Sequence, residues 1–375
     1  MIERMYHNLD SLLEEGKVLI IYGARQVGKT TLLEAFLETT TLKYRLDTGD
    51  NLRIRTLLSS SDFDEILEYA AAYDLIAIDE AQEIENIGQA LKIIVDHYPQ
   101  IKVIATGSSS FNLSQKVGEP LTGRKITKIL YPLSQQELLK ESNRFELKER
   151  LEEFLLFGSY PEVVTAQSRA GKIRVLNELI DSYLLKDLFQ HERIKSPRVL
   201  IQLLKMIAFQ VGNEVSLNEL SNKVGVDAKT IARYLDLLEK SFVIHSLGGF
   251  SRNLRKEVTS KRKYYFLDVG IRNALISQFN SFDNRDDLGA LFENFCFMER
   301  IKKHEYEEYY GNHYYWRTYN GQEVDFVEEC DGALSAFECK SSEKKEPKPP
   351  GEWTNSYKNS SFCVVNRKNY LDFVL

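Results

Sequence analysis

The chain lacks the features that would tie it to a membrane or to an oxidising compartment. Its longest apolar runs, such as Val18-Leu19-Ile20-Ile21-Tyr22, stop far short of the ~20 residues a membrane helix needs, so no membrane-spanning helix is expected. No signal peptide is expected either, because Met1-Ile2-Glu3-Arg4 leads into mixed polar sequence. Only four cysteines occur in 375 residues (Cys296, Cys330, Cys339 and Cys363), and no two form a Cys-x-x-Cys pair. That scarcity argues against a disulfide scaffold or a zinc cluster, and predicts reduced thiols in the cytoplasm. Net positive charge is missing too. The formal balance of −6 does not by itself suggest a nucleic-acid binder, although an average can hide a local basic patch. Protein-kinase and dehydrogenase nucleotide fingerprints are absent.

What is present is an ordinary globular composition in a chain too long for one core, so two to four domains are expected. The most specific motif is Gly23-Ala24-Arg25-Gln26-Val27-Gly28-Lys29-Thr30, a full match to the phosphate-loop pattern G-x-x-x-x-G-K-[ST]. An apolar strand (Val18 to Tyr22) enters it and a helical stretch from Thr31 to Glu38 leaves it. Glycines allow backbone N–H groups to close around phosphate oxygens at a helix N-terminus, where the dipole also favours anions. Lys29 is expected to reach the β- and γ-phosphates and Thr30 to place its hydroxyl on Mg²⁺. The ATP-binding set is then Gly23, Ala24, Arg25, Gln26, Val27, Gly28, Lys29, Thr30 and Thr31.

A second buried strand, Leu75-Ile76-Ala77-Ile78, ends in Asp79-Glu80. Asp79 is placed to hold the Mg²⁺ ion's water shell and Glu80 to activate the attacking water. A third strand, Ile101 to Thr106, ends in Thr106-Gly107-Ser108, and either Thr106 or Ser108 is expected to sense the γ-phosphate at the sheet's switch point. Arg124, in Leu121-Thr122-Gly123-Arg124, is a candidate arginine finger completing a neighbour's site. A surface salt bridge is the alternative, and Arg25 carries the same ambiguity.

From Leu133 to Leu204 the apolar spacing predicts helices, interrupted at Phe157-Gly158-Ser159-Tyr160-Pro161-Glu162. This stretch reads as a helical lid. Next, Val199 to Phe209, Ser216 to Ser221 and Ala228 to Lys240 read as three helices, with Ser216 and Glu219 spaced as a capping box and Asp227 as a cap. Strands at Phe242 to Leu247 and Tyr264 to Leu267 complete a winged helix-turn-helix pattern. Between them lies the local basic patch: Arg252, Arg255, Lys256, Lys261, Arg262 and Lys263 against the single acid Glu257. Such a wing can grip phosphates. The third helix would offer Lys229, Thr230, Arg233 and Tyr234 to DNA, unless the module serves protein contact instead.

The last stretch predicts a helix from Leu288 to Lys303 carrying Glu293, neighbouring strands at Tyr314 to Thr318 and Val324 to Val327, and a third strand at Ala336 to Lys340. Two-residue alternation puts Glu338 and Lys340 on one face. Glu293, Asp325 and Glu338, with Lys340, have the order of a restriction-type nuclease site. There, carboxylates hold Mg²⁺ or Mn²⁺ and a lysine polarises the nucleophile or phosphate. Retained cleavage is separate from the fold, which can also serve as a DNA-binding platform. Ser341 to Glu352, rich in Lys, Glu and Pro, reads as a mobile loop.

Over essentially its full length the chain resembles the prokaryotic AAA-type ATPases whose C-terminal half is a domain of unknown function. The likeness rests on residues 23–30, 78–82, 121–124, Leu-Tyr-Pro-Leu-Ser (130–134) and Gly-Ser-Tyr-Pro-Glu (158–162). It continues through Phe-Leu-Asp-Val-Gly (266–270), Gly-Ala-Leu-Phe-Glu-Asn (289–294), Glu-Val-Asp-Phe (323–326) and Glu-Cys-Lys (338–340). Ser159 and Tyr160 depart from the more usual Gly-Gly-Phe/Tyr-Pro form, and Cys339 stands where an apolar residue is common. The expected architecture is α/β. It comprises an AAA-type P-loop core (1–140), a helical lid (141–197), a winged helix-turn-helix (198–270) and a PD-(D/E)XK nuclease-like domain (271–375). The preferred function is ATP hydrolysis by a DNA-binding homo-oligomer, a hexamer among the expected forms, that remodels or processes duplex or branched DNA. The alternatives are an ATP-regulated, Mg²⁺- or Mn²⁺-dependent endonuclease and a nucleotide-switched regulator without chemistry on DNA.

Overall fold

A computed structural model describes residues 2–108, 120–181, 196–252, 261–342 and 347–375. The chain divides into two compact units, Met1–Pro132 with Lys240–Phe242, and Leu133–Glu239 with Val243–Leu375.

The first unit is built on five parallel strands: β1 (Val18–Tyr22), β2 (Tyr44–Thr48), β3 (Leu75–Asp79), β4 (Lys102–Gly107) and β5 (Lys125–Ile129). Their order across the sheet is β2-β3-β4-β1-β5. The unbroken apolar runs in β1 and β3 are explained by burial on both faces, since every residue of β1 and the first four of β3 are buried. The sequence in β1 turns straight into the helix Lys29–Thr39, which buries Leu32, Leu33, Phe36 and Leu37. Each such side chain stabilises the unit by roughly 1.5–3 kcal/mol. Because β4 returns beside β1 after β2 and β3 are laid outside it, the C-terminal ends of β1, β3 and β4 converge. The carboxyl ends of parallel strands at such a reversal are where ligands bind.

The second unit begins with short helices (Gln135–Leu139, Arg144–Glu149, Leu151–Phe157, Pro161–Thr165) and the longer Arg169–Leu179. Ser134 and Asn143 each form the full capping box, and Pro161 opens its helix at the first position. Gly158 sits at φ +71°, and a Cβ there would overlap the Asp268 carboxylate. That carboxylate accepts from Ser159 N–H at 2.7 Å and from Gly270 N–H at 2.8 Å, capping the helix Val269–Leu275. Thus the Gly-Ser-Tyr-Pro and Leu-Asp-Val-Gly motifs, a hundred residues apart, form one joint. Asn273 strengthens it by donating to the carbonyls of Leu155 (3.0 Å) and Leu156 (2.9 Å).

The helices Pro197–Phe209, Leu217–Val224 and Ala228–Lys240 follow. Asp227 caps the third as expected, accepting from Thr230 N–H at 2.9 Å and Thr230 Oγ1 at 2.7 Å. The Ser216–Glu219 box does not form: Ser216 makes no side-chain cap, and the Glu219 side chain pairs instead with Lys223 at 2.7 Å one turn on. The remaining strands build a seven-stranded sheet in the order β12-β11-β10-β9-β7-β8-β6. They are β6 (Glu214–Val215), β7 (Ile244–Gly249), β8 (Arg262–Phe266), β9 (Asn312–Arg317), β10 (Glu323–Cys330), β11 (Ala333–Lys340) and β12 (Ser361–Asn366). Strands on both sides of residue 270 therefore share one sheet, joined where β7 runs parallel to β9 at Gly248–Tyr314 and Gly249–Tyr315. The helix Leu288–Tyr306 packs across β8 and β11 and buries Leu291, Phe295 and Met298. No described helix is long and apolar enough to cross a membrane, and all four cysteines are free thiols.

Candidate functional site

The phosphate loop leaves β1 under tight packing. A Cβ on Gly23 would collide with the Leu130 carbonyl at the end of β5, and Gly28 adopts φ +98°, a conformation that only glycine enters without strain. Lys29 is 5 % exposed, and its Nζ donates to the carbonyls of Gly23 and Ala24, both at 2.9 Å. The ammonium is thus folded back into the loop it is meant to serve. Burial pushes its pKa down to about 8, against the opposing pull of the Glu80 and Asp79 carboxylates, while the Arg25 guanidinium adds to the lowering.

Thr30 Oγ1 donates to Asp79 Oδ2 at 2.7 Å, which brings the first residue of the helix to the end of β3. The other Asp79 oxygen accepts from the Thr106 hydroxyl at the end of β4, and Thr106 Oγ1 accepts from the Glu80 backbone N–H at 3.3 Å. Glu80 itself turns into the left-handed region at φ +48°, uncommon for a side chain of this size. Its carboxylate accepts from Gln82 Nε2, which also donates to Ser108 Oγ at 3.2 Å. Ser108 N–H returns a bond to Gln82 Oε1 at 3.3 Å. The choice between Thr106 and Ser108 therefore resolves into two positions. Thr106 touches Asp79 directly, whereas Ser108 reaches Glu80 through Gln82.

This donor set suits Mg²⁺ with a nucleotide. A hydroxyl and a carboxylate converge at the helix N-terminus, the oxygen-only chemistry a hard cation takes, and one lysine stands ready to exchange carbonyls for phosphates. Thr31 is exposed on the first turn, as are Thr30 and Gln26, while Ala24 and Val27 are buried behind the loop. Three supporting residues were assigned no role from the sequence. Arg4, 7 % exposed, donates to the Val27 carbonyl inside the loop and, at 2.6 Å, to the Tyr131 carbonyl. Gly49 approaches so closely that a Cβ would strike the Glu80 carbonyl, and its N–H donates to Asp79 O at 2.8 Å. Gln82 is the link just described; only its place three residues past Asp79 offered a signal.

Arg124 stands elsewhere. Its carbonyl accepts from Val18 N–H at 2.9 Å, at the end of β1 opposite the phosphate loop, and its guanidinium pairs with the Asp96 carboxylate. It takes no part in its own chain's nucleotide site.

Residues 15–139 match the family described as an AAA domain, and residues 288–372 match a domain of unknown function, DUF4143. The chain thus carries an AAA-type P-loop domain followed by a C-terminal DUF4143 domain. A second domain of unknown function, DUF8612, matches residues 148–281 between them. An uncharacterized protein of Methanocaldococcus jannaschii is 25 % identical over 345 residues, spanning 85 % of this chain and 74 % of the relative. One from Mycobacterium tuberculosis is 27 % identical over 331 residues, spanning 88 % and 71 %. Among solved structures, a Walker-type ATPase of Pyrococcus abyssi superposes with a TM-score of 0.50 at 18 % identity, over 74 % of this chain and 96 % of that one. That likeness concerns the fold.

In the DUF4143 region, the carboxylates expected to hold a metal meet a different cation. Lys263 of β8 is 1 % exposed and places Nζ 2.6 Å from Glu323 Oε1, 3.3 Å from Glu293 Oε1 and 3.9 Å from Asp325 Oδ1. Tyr265, two residues further along the same face, donates to Glu293 at 2.7 Å. Burial pushes the Glu293 carboxyl up to about 7 even though Lys263 opposes the shift. Asp325 Oδ2 is taken by Cys339 N–H at 2.9 Å, and Glu338 pairs with Lys340 at 2.5 Å. Glu293, Asp325 and Glu338 are thus brought to one region, but Glu293 and Asp325 face the Lys263 ammonium, Asp325 also accepts from the backbone of the neighbouring strand, and Glu338 pairs with Lys340 on its own strand. Among the described residues no three His, Cys, Asp or Glu side chains are arranged to hold a metal ion. The expected Mg²⁺ or Mn²⁺ set does not fit as it stands.

The basic patch is also changed by its neighbours. Lys263, counted in it from the sequence, is buried in that cluster. Lys261 lies 3.4 Å from Glu214, Arg252 pairs with Glu329 at 2.9 Å, and Arg262 donates to Ser246 Oγ at 2.7 Å. Arg255 and Lys256 fall outside the described residues. On the helix Ala228–Lys240, Lys229 and Arg233 are exposed one turn apart, but Thr230 is occupied by its cap. Tyr234, expected to face outward, is 2 % exposed because its helical position belongs to the apolar stripe with Ile231, Leu235 and Leu238.

Proposed function

We propose that the AAA unit hydrolyses ATP, and that the observation carrying this reading is the Thr30–Asp79 contact beside a Glu80 held by Gln82. Bound Mg²⁺ would neutralise charge on the β- and γ-phosphates. Thr30 and Asp79 would orient it, Lys29 would turn outward to the phosphates, and Glu80 would take the proton of the attacking water. Gln82 and Ser108 then fix the direction of the Glu80 carboxylate. Glu80→Gln is expected to lower kcat by roughly 10²- to 10⁴-fold while nucleotide binding persists; turnover within threefold of the parent would remove Glu80 from this role.

The same reading extends to DNA and to assembly. Lys229, Arg233 and Arg262 are the exposed cations that support contact with duplex or branched DNA, which would modulate ATP turnover. Arg124, remote from its own site, supports a homo-oligomer in which it completes a neighbour's. Mixing Arg124→Ala subunits with Glu80→Gln subunits tests this directly, since each lacks a different half and partial recovery of turnover is expected. For DNA, charge reversal of Lys229 and Arg233 should weaken duplex binding and reduce the slope of log K against log salt by about 2. An unchanged slope would assign this helix to another partner.

A further inference from the structure

One buried cation stands in the region where a nuclease would hold its metal. We propose that Lys263 is the permanent counter-ion of the Glu293–Glu323–Asp325 cluster, so that this DUF4143 centre excludes divalent metal and serves as an ionic fastener. Three features carry the proposal. First, the ammonium lies within ion-pair reach of all three carboxylates. A divalent ion among the same oxygens would face a unit positive charge at contact distance. Second, the lysine is enclosed. It is 1 % exposed, and its strand position is paired on both sides, with Leu247 of β7 and Glu214 of β6. Third, the surrounding charges are already matched. Arg317 lies 3.7 Å from Glu323 and 3.3 Å from Glu214, and Glu338 and Asp325 keep the partners described above. A buried ammonium is tolerated only with such pairing, and removing one partner of a buried pair leaves an uncompensated charge.

The fastener joins three segments that lie far apart in sequence: β8, the helix Leu288–Tyr306 and β10. It therefore ties the β7–β8 hairpin to the C-terminal strands by charge as well as by backbone pairing.

The test is Mn²⁺ binding followed by electron paramagnetic resonance on the nucleotide-free full chain, which leaves the ATP reading untouched. The wild type is expected to show no Mn²⁺ site that Glu293→Gln abolishes. Lys263→Met, which keeps the stem and removes the charge, should acquire one such site, because three carboxylates lose their cation and are left to a hard divalent ion. Absence of a gained site in folded Lys263→Met would overturn the exclusion role, as would a Glu293-dependent Mn²⁺ site in the wild type. Should Lys263→Met fail to fold, the wild-type titration still decides. It is joined by acetylation of native protein with an amine reagent, where Lys263 should stay unmodified while exposed lysines react; ready modification of Lys263 would refute its locked position.

Discussion

The inward-turned Lys29 makes a quantitative prediction about protons. Folded back against the Gly23 and Ala24 carbonyls, it has its pKa pushed down to about 8, burial being the dominant cause, whereas beside phosphates it should return to about 10.4 or above. At pH 7 the folded-back lysine is about nine-tenths protonated, so nucleotide binding takes up only about 0.1 proton. At pH 8 the uptake is about 0.5, and at pH 9 about 0.9. The apparent affinity must then fall about tenfold between pH 7 and 9, or ~1.4 kcal/mol. The sign is fixed by the lysine being less protonated when empty, so that rising pH adds a protonation cost to binding. The assay is calorimetric titration with ADP in buffers of differing ionisation enthalpy, at pH 8 and 9, where the nucleotide's own phosphates are fully ionised. Lys29→Arg, whose guanidinium stays charged throughout, should bind with neither uptake nor pH dependence. Uptake below about 0.1 proton at pH 9 would refute the picture of a desolvated, folded-back lysine.

Two further outcomes follow from buried contacts. Arg4→Met removes the donor shared by the Val27 and Tyr131 carbonyls, and charge-assisted bonds contribute about 1.5–3 kcal/mol each. Nucleotide affinity should drop by about tenfold or more, measured by fluorescent-nucleotide titration; unchanged binding would mean that the loop holds its shape alone. Gly158→Ala combines a left-handed backbone with overlap against Asp268 and should destabilise the second unit by at least about 2 kcal/mol. Calorimetry would register this as a drop in Tm of several degrees, and an unshifted transition would count against the joint.

The nucleotide site was largely legible because its chemistry is local. Strand, loop and helix are contiguous, so Gly23 to Thr30 declare themselves, and the run before Asp79-Glu80 marks a doubly buried strand. What spacing could not disclose is what approaches from a distance. Arg4 reaches the loop from a segment ahead of β1 that carries no motif, and Gly49 matters only because the Glu80 carbonyl lies against it. The same limit explains the second unit. Lys263 looked like one more cation of a basic loop, since nothing in Lys261-Arg262-Lys263 distinguishes the residue whose pleat points it inward. Tyr234 was misplaced for a similar reason. An amphipathic helix of this length has one apolar stripe, and an aromatic residue at its margin is assigned only once the packing partner is known.

The single sheet running from β6 to β12 has a consequence for dissection of the chain. A fragment starting at Leu288, where the DUF4143 match begins, would lose β7 and β8. It would uncover the backbone of β9 at Tyr314 and Tyr315 and leave Glu293, Glu323 and Asp325 without Lys263. Such a piece would carry an open strand edge, a known template for association, next to unneutralised acids. The family boundary is therefore not a folding boundary: the smallest autonomous body that retains this centre must reach back through the hairpin.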